Sequence, residues 1–149
     1  MVYIEFKRAS KKHLVTCEHL IEKLDVNCKV KEKYILTNIY YLSGYIFETI
    51  LKFSIYSAVG YDRQKDIKKL NQCGLCYLDN IQIHSLVKLK RTIEANNISS
   101  IYNYDAHKTL FNAWNSEIRY LEKVDYEKDD IISFFKFAKQ NYEILQQYK

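Results

Sequence analysis

The chain has 149 residues, of which 48% are hydrophobic and 15% aromatic, and this composition excludes a disordered protein. Its formal net charge of +5 permits RNA as a partner but falls short of the strong basic stripe of a dedicated nucleic-acid binder. The sequence contains no proline and only three glycines, too few for the turns of a β-rich protein of this length. We therefore expect a single all-α domain over residues 1–149.

The first two predicted helices supply the centre of the expected fold. Apolar residues at spacings of three and four predict a helix over residues 5–24, followed by a connection at residues 25–31. Residues 32–58 are apolar around most of a helical circumference, which is typical of a central helix. Gly44 in its middle costs roughly 1 kcal/mol relative to alanine, so we expect another helix to approach closely there.

The rest of the chain predicts shorter elements and a final helix. A short helix, a loop and two further helices are expected, in that order, at residues 63–70, 71–80, 84–95 and 99–115. The final helix begins near Asp129 and Asp130, whose carboxylates can cap it and complement its dipole. Together these elements predict an antiparallel up-and-down bundle of four long helices, with short helices between the second and the last.

Nothing in the sequence predicts a membrane span, a signal peptide or a cofactor site. No run of about 18 apolar residues occurs, and the first residues lack the apolar run and cleavage site of a secretion signal. We therefore expect a cytoplasmic protein whose four cysteines are reduced. Cys73-Gly-Leu-Cys76 has the spacing of a zinc knuckle or a redox pair, but no second such motif completes a zinc site. We expect a loop with two thiols there, and neither a metal nor a cofactor.

Glu48 and Lys52 are the most informative charged residues. They are the only charged residues between Asn38 and Ser54, and their spacing of four places them side by side on a helix. Burying either charge alone is expensive, so they should pair with each other or with a polar cluster. An ion pair that fixes helix packing is the slightly favoured interpretation, and the wall of a polar groove is the alternative.

Two later segments add candidate ligand-binding side chains. His84 begins a predicted helix after a loop, where it is either a capping or hydrogen-bonding group or a functional one. Trp114, Arg119 and Tyr120 follow at a helix-to-loop boundary and are suited to hold a phosphate or to stack on a base. The alternative is that the two rings fill the edge of the core while Arg119 pairs with an acid. Familiar enzyme signatures for nucleotides, metals or nucleophilic serine are absent from the sequence.

Residues 40–52 resemble the second core helix of HEPN-domain proteins, through the run Gly44-Tyr-Ile-Phe-Glu-Thr-Ile-Leu-Lys52. Three further pieces are similar to the family in the same order: Arg8-Ala-Ser-Lys-Lys-His13-Leu, His84-Ser-Leu-Val-Lys-Leu89, and Trp114 with Arg119-Tyr120. The resemblance covers about residue 5 to residue 121. It implies a helical bundle that commonly forms homodimers and works in toxin–antitoxin systems, phage defence or RNA processing, often beside a nucleotidyltransferase partner.

Many HEPN-domain proteins are metal-independent ribonucleases that use an Arg-x(4–6)-His motif on a late helix. This chain has no histidine after His107, so no histidine follows Arg119 to complete the motif. Arg8 and His13 satisfy the spacing, but on the first helix. A separation of five residues places their side chains about 140° apart around the helix axis.

Three functions remain open. The leading hypothesis is a binding or regulatory component for nucleotides or RNA, with a polar cleft of Glu48, Lys52, His84, Arg119 and Tyr120. In this cleft Arg119 and Lys52 would bind phosphate, Glu48 would orient Lys52, and His84 would hydrogen-bond the ligand. The second hypothesis is a metal-independent ribonuclease toxin, whose candidate catalytic residues are His84, Arg119, Arg8 and His13. The third is a non-catalytic dimeric adaptor, for which the 14 tyrosines would supply interface residues.

Overall fold

The computed structural model describes residues 1–24 and 27–148. Over these residues the chain forms five α-helices joined by short turns and one small hairpin. The helices are α1 (Ile4–Glu22), α2 (Lys29–Ala58), α3 (Leu86–Ala95), α4 (Tyr104–Ala113) and α5 (Lys128–Leu145). The all-α prediction is confirmed, and the predicted connection at residues 25–31 lies partly outside the described residues. None of the described helices has the length and apolarity needed to cross a membrane.

The 30-residue helix α2 is the centre of the fold, as its apolar circumference predicts. Every residue from position 46 to position 57 is buried. Helix α1 packs against α2 in the antiparallel direction. The Ser10 hydroxyl donates to the Ile46 carbonyl at 3.0 Å, and about two helical turns further along α1 the Cys17 thiol donates to the Ile39 carbonyl at 3.8 Å. These two polar contacts fix the register of the pair within an otherwise apolar interface.

Helix α5 packs against α2 in the parallel direction, which corrects the predicted up-and-down arrangement. Near the starts of both helices Lys128 pairs with Glu32 at 2.6 Å, and further along the rings of Phe137 and Phe47 lie 4.7 Å apart. The segment between the two helices returns the chain to the end of the bundle where α2 begins. The predicted four long helices are also wrong, since α3 and α4 have only ten residues each and the long helices are α1, α2 and α5.

The segment predicted as a loop at residues 71–80 contains a β-hairpin. Strands β1 (Asn71–Gln72) and β2 (Leu75–Cys76) pair antiparallel around a two-residue turn. The turn residues Cys73 and Gly74 have φ of 54° and 74°, the left-handed conformation that such a tight hairpin requires. The Cys-x-x-Cys spacing therefore serves a hairpin turn, in which Cys73 is exposed and the Cys76 thiol donates to Asp79 at 3.1 Å.

Three predicted element boundaries also shift. The helix expected at residues 63–70 is only a 3₁₀ turn at Ile67–Lys69. His84 does not begin α3, because Ser85 caps the helix with its side chain and leaves His84 outside. Asp129 and Asp130 lie in the first turn of α5, where they complement its dipole, rather than at its N-cap.

Candidate functional site

Glu48 and Lys52 form a buried ion pair on α2. Lys52 Nζ lies 2.7 Å from Glu48 Oε1. The side chain of Lys52 is only 5% exposed, and that of Glu48 only 4%. The ammonium also lies 5.9 Å from the centre of the Phe6 ring on α1, which covers another side of it. The pair thus forms as the sequence predicts, but the covered Lys52 is not positioned to bind phosphate directly.

His84 connects this ion pair to solvent. Its Nδ1 lies 3.0 Å and 3.1 Å from the two carboxylate oxygens of Glu48, while 57% of its side chain is exposed. A carboxylate only accepts hydrogen bonds, so this contact favours a proton on Nδ1 and makes Nε2 the acceptor of the neutral ring. Glu48 therefore orients His84 as well as Lys52, and it brings these three predicted residues together.

Two tyrosines extend this polar region along α2. Tyr41, Tyr45, Glu48 and Lys52 are spaced by four, three and four residues, so they lie on one face of the helix. We call these four residues the polar strip, and it extends about 16 Å along the helix axis. The two tyrosines are half-buried with their rings 4.9 Å apart, and burial raises the pKa of Tyr45. The strip therefore has a partly exposed tyrosine end and a buried ion-pair end.

His13 of α1 flanks the middle of the polar strip. Its ring lies 5.6 Å from the ring of Tyr45. Burial and the neighbouring Lys12 lower the pKa of His13, and the charge of Glu48 opposes this change. Arg8 is exposed and pairs with Glu5 instead. The structure therefore separates Arg8 from His13, as their angular separation on a helix predicts, and brings His13 to the strip.

Arg119 lies at the tyrosine end of the polar strip. The charge of Tyr120 and a hydrogen bond with Tyr41 raise the pKa of Arg119, whose guanidinium carbon lies 4.7 Å from the centre of the Tyr120 ring. Its positive charge also lowers the pKa of Tyr45, whereas Glu48 raises it. The predicted cleft is therefore elongated, because Tyr41 and Glu48 are two helical turns apart, about 10 Å. Arg119 and His84 lie at opposite ends of that interval.

Trp114 anchors the segment that carries Arg119 against α2. It follows α4 directly, is buried, and its indole N–H donates to the Tyr41 carbonyl at 3.1 Å. The ring covers Gly44, where a Cβ atom would come within 2.0–2.3 Å of the indole. Gly44 thus permits a close approach, although by an indole rather than by the predicted helix. Because Trp114 is buried, it is not the ring that stacks on a base.

Sequence reasoning missed the contributions of Tyr41 and Tyr45, to which it assigned no role. Their spacing to Glu48 and Lys52 carries the signal, because it places all four side chains on one face of the helix. The contact of His13 with this face depends on how α1 packs and has no local signal.

Among residues 1–24 and 27–148, no three His, Cys, Asp or Glu side chains are grouped so that they could hold a metal ion. The sequence matches no protein-family model, and neither a curated protein nor a solved structure is significantly similar to it. An oriented imidazole, an exposed guanidinium and an exposed tyrosine ring are groups suited to phosphates and to planar bases.

Proposed function

We propose that this chain is a HEPN-like helical protein that binds the phosphates of RNA or of a nucleotide along the polar strip. The observation that carries the proposal is His84, an exposed imidazole held by a buried ion pair on the same helix face that leads to Arg119. The HEPN-like run supports it, because its glycine admits Trp114 and its glutamate and lysine form the ion pair.

The charges around the strip favour an anionic ligand. Glu48 alone would repel a phosphate, but Lys52 neutralises it at 2.7 Å. Arg119 is exposed, and its planar guanidinium can donate two parallel hydrogen bonds to one phosphate. His84 can donate a further hydrogen bond when its ring is protonated. The net charge of +5 assists the approach of a polyanion.

Binding of a fluorescently labelled, single-stranded RNA oligonucleotide, followed by anisotropy at several salt concentrations, tests this proposal. Arg119→Ala and His84→Ala should each weaken binding, and Arg119→Ala should reduce the slope of log K against log salt by about 0.7 if one phosphate contact is lost. Arg63→Ala is the matched control, since it removes an exposed arginine outside the strip. Unchanged affinity in both Arg119→Ala and His84→Ala would refute the proposal.

The contact between Glu48 and His84 favours a second candidate function, a metal-independent ribonuclease. A carboxylate that fixes an imidazole tautomer is the arrangement of a general acid–base, and Nε2 would take the proton of a ribose 2′-hydroxyl. Incubation of total RNA with the protein in EDTA, beside a His84→Ala, Arg119→Ala double variant, tests it. Cleavage by the parent alone supports the ribonuclease, and intact RNA with a folded parent contradicts it.

The proposed biological setting follows the HEPN resemblance. We propose that the protein acts as a homodimer in a toxin–antitoxin or phage-defence system, with a nucleotidyltransferase-type protein as its partner. Light scattering measures the oligomeric state, and co-purification with an encoded neighbour of that type measures the partnership. A dimer that neither binds nor cleaves RNA would favour the non-catalytic adaptor instead.

A further inference from the structure

An aromatic ring, that of Tyr120, is exposed to solvent next to Arg119 at the tyrosine end of the polar strip. Tyr120 is 75% exposed, the largest exposure among the large hydrophobic side chains of the described residues. The guanidinium of Arg119 lies over this ring. Aromatic rings and guanidinium planes that are open to solvent are the groups on which unpaired bases stack.

Arg119, whose guanidinium lies over this ring, also lines a small open cavity. It has a volume of about 230 Å³, with α2 residues including Tyr34, Asn38 and Tyr41 on one side and Arg119 and Glu122 on the other. The Tyr34 hydroxyl donates to Glu122 at 3.0 Å and links the two sides. The volume is below the range of about 300–1,000 Å³ that encloses a whole small molecule. It therefore suits one planar base better than a complete nucleotide.

We infer that Tyr120 and Arg119, with the adjoining cavity, form a base-stacking platform, and that the ligand of the polar strip is single-stranded nucleic acid. The inference rests on the proposed function and specifies its ligand. In a duplex the bases stack on one another and are not available to a protein ring, whereas unpaired bases stack readily on aromatic and guanidinium planes. A strand with one base on Tyr120 can lay its backbone along the strip toward His84.

The experiment uses the full chain and an RNA strand that carries 2-aminopurine, whose fluorescence falls when the base stacks. The same strand annealed to its complement is the duplex probe. Tyr120→Ala should weaken single-strand binding about 5- to 150-fold, the range expected for one lost base–aromatic stack, and should abolish the fluorescence change. Tyr120→Phe should retain both, because it keeps the ring. Tyr102→Ala is the control, since Tyr102 is also highly exposed but lies away from the strip beside Asn141 of α5.

The outcomes separate this inference from the proposed function. Tight single-strand binding, weak duplex binding and a loss specific to Tyr120→Ala support the platform. Equal affinity for strand and duplex, with no effect of Tyr120→Ala on affinity or fluorescence, overturns the platform. In that case the affinities of Arg119→Ala and His84→Ala still test whether the protein binds phosphate. Absence of binding to either probe by the folded parent overturns both. Because Tyr120 is largely exposed, its substitution should leave the circular dichroism and thermal unfolding of the protein unchanged.

Discussion

Removing the charge of Glu48 should destabilise the protein more than removing the charge of Lys52, although the two form one ion pair. Glu48→Gln leaves the ammonium of Lys52 with 5% exposure and, among its described contacts, only the Phe6 ring for compensation. Breaking a buried pair in this way costs about 3–5 kcal/mol, because an uncompensated charge stays out of water. That is a large part of the 5–15 kcal/mol typical of a domain's whole stability.

Lys52→Met removes the ammonium but leaves the Glu48 carboxylate with one hydrogen-bond partner among the described residues. Glu48 retains His84, whose Nδ1 lies within 3.1 Å of both carboxylate oxygens. Methionine is unbranched and fills the space of the lysine stem. We expect a loss of about 1–3 kcal/mol, as for a buried group that loses one of two hydrogen-bond partners.

Urea unfolding followed by circular dichroism at neutral pH measures both free energies. Glu94→Gln is the control, because Glu94 and Lys90 form a pair of the same spacing on α3 that is more exposed. Its substitution should change the free energy of unfolding by only about 0.3–0.5 kcal/mol. The reasoning is refuted if Lys52→Met costs as much as Glu48→Gln, or if Glu48→Gln costs no more than the surface control.

Three further predictions concern other buried groups. Gly44→Ala should lower the free energy of unfolding by about 1–3 kcal/mol, because the new Cβ overlaps the buried indole of Trp114, and thermal unfolding measures the loss. Stability should fall as the pH drops from about 7.5 to 5, because burial lowers the pKa of His13 and of His107 and the fold favours their neutral forms. The stability that the neutral histidines contribute is present above their unfolded pKa of about 6.5 and is lost as the pH falls through their folded pKa. Urea titrations should therefore show a free energy of unfolding that depends less on pH when both histidines are replaced by glutamine. Cys17 should resist iodoacetamide in the native protein and react after unfolding, because burial raises the pKa of its thiol to about 12, and peptide mass spectrometry distinguishes the two states.

The secondary structure of this chain could be predicted where one segment carries its own signal. The apolar circumference of residues 32–58 predicts a central helix, and residues 46–57 are indeed all buried. The parallel direction of α5 has no such local signal, because it depends on the path of the whole segment from Ala58 to Lys128. The hairpin at β1 and β2 was missed because cysteine takes the left-handed turn position that asparagine usually occupies.

In the candidate site too, some contacts could be predicted from a local sequence signal and others could not. The contact of Glu48 with Lys52 could be predicted from a spacing of four and the cost of burying single charges. The place of Arg119 could not, since it depends on the buried Trp114 and its hydrogen bond to the backbone of α2. His84 reaches Glu48 from 36 residues further along the chain, and the hypothesis of one polar cleft grouped the two residues without predicting this contact.

The buried ion pair offers a final test of whether the polar strip exists for function or for packing. Replacing Glu48 by leucine and Lys52 by methionine together removes both charges without leaving either unpaired. Such replacements of buried pairs are often neutral or stabilising by about 1–4 kcal/mol. The same double variant deprives His84 of the carboxylate that orients it. If the strip serves a ligand, the variant should unfold at an equal or higher urea concentration than the parent and yet bind the RNA probe more weakly. A variant that binds as tightly as the parent would instead mean that the ion pair is a packing feature and that the orientation of His84 is not used.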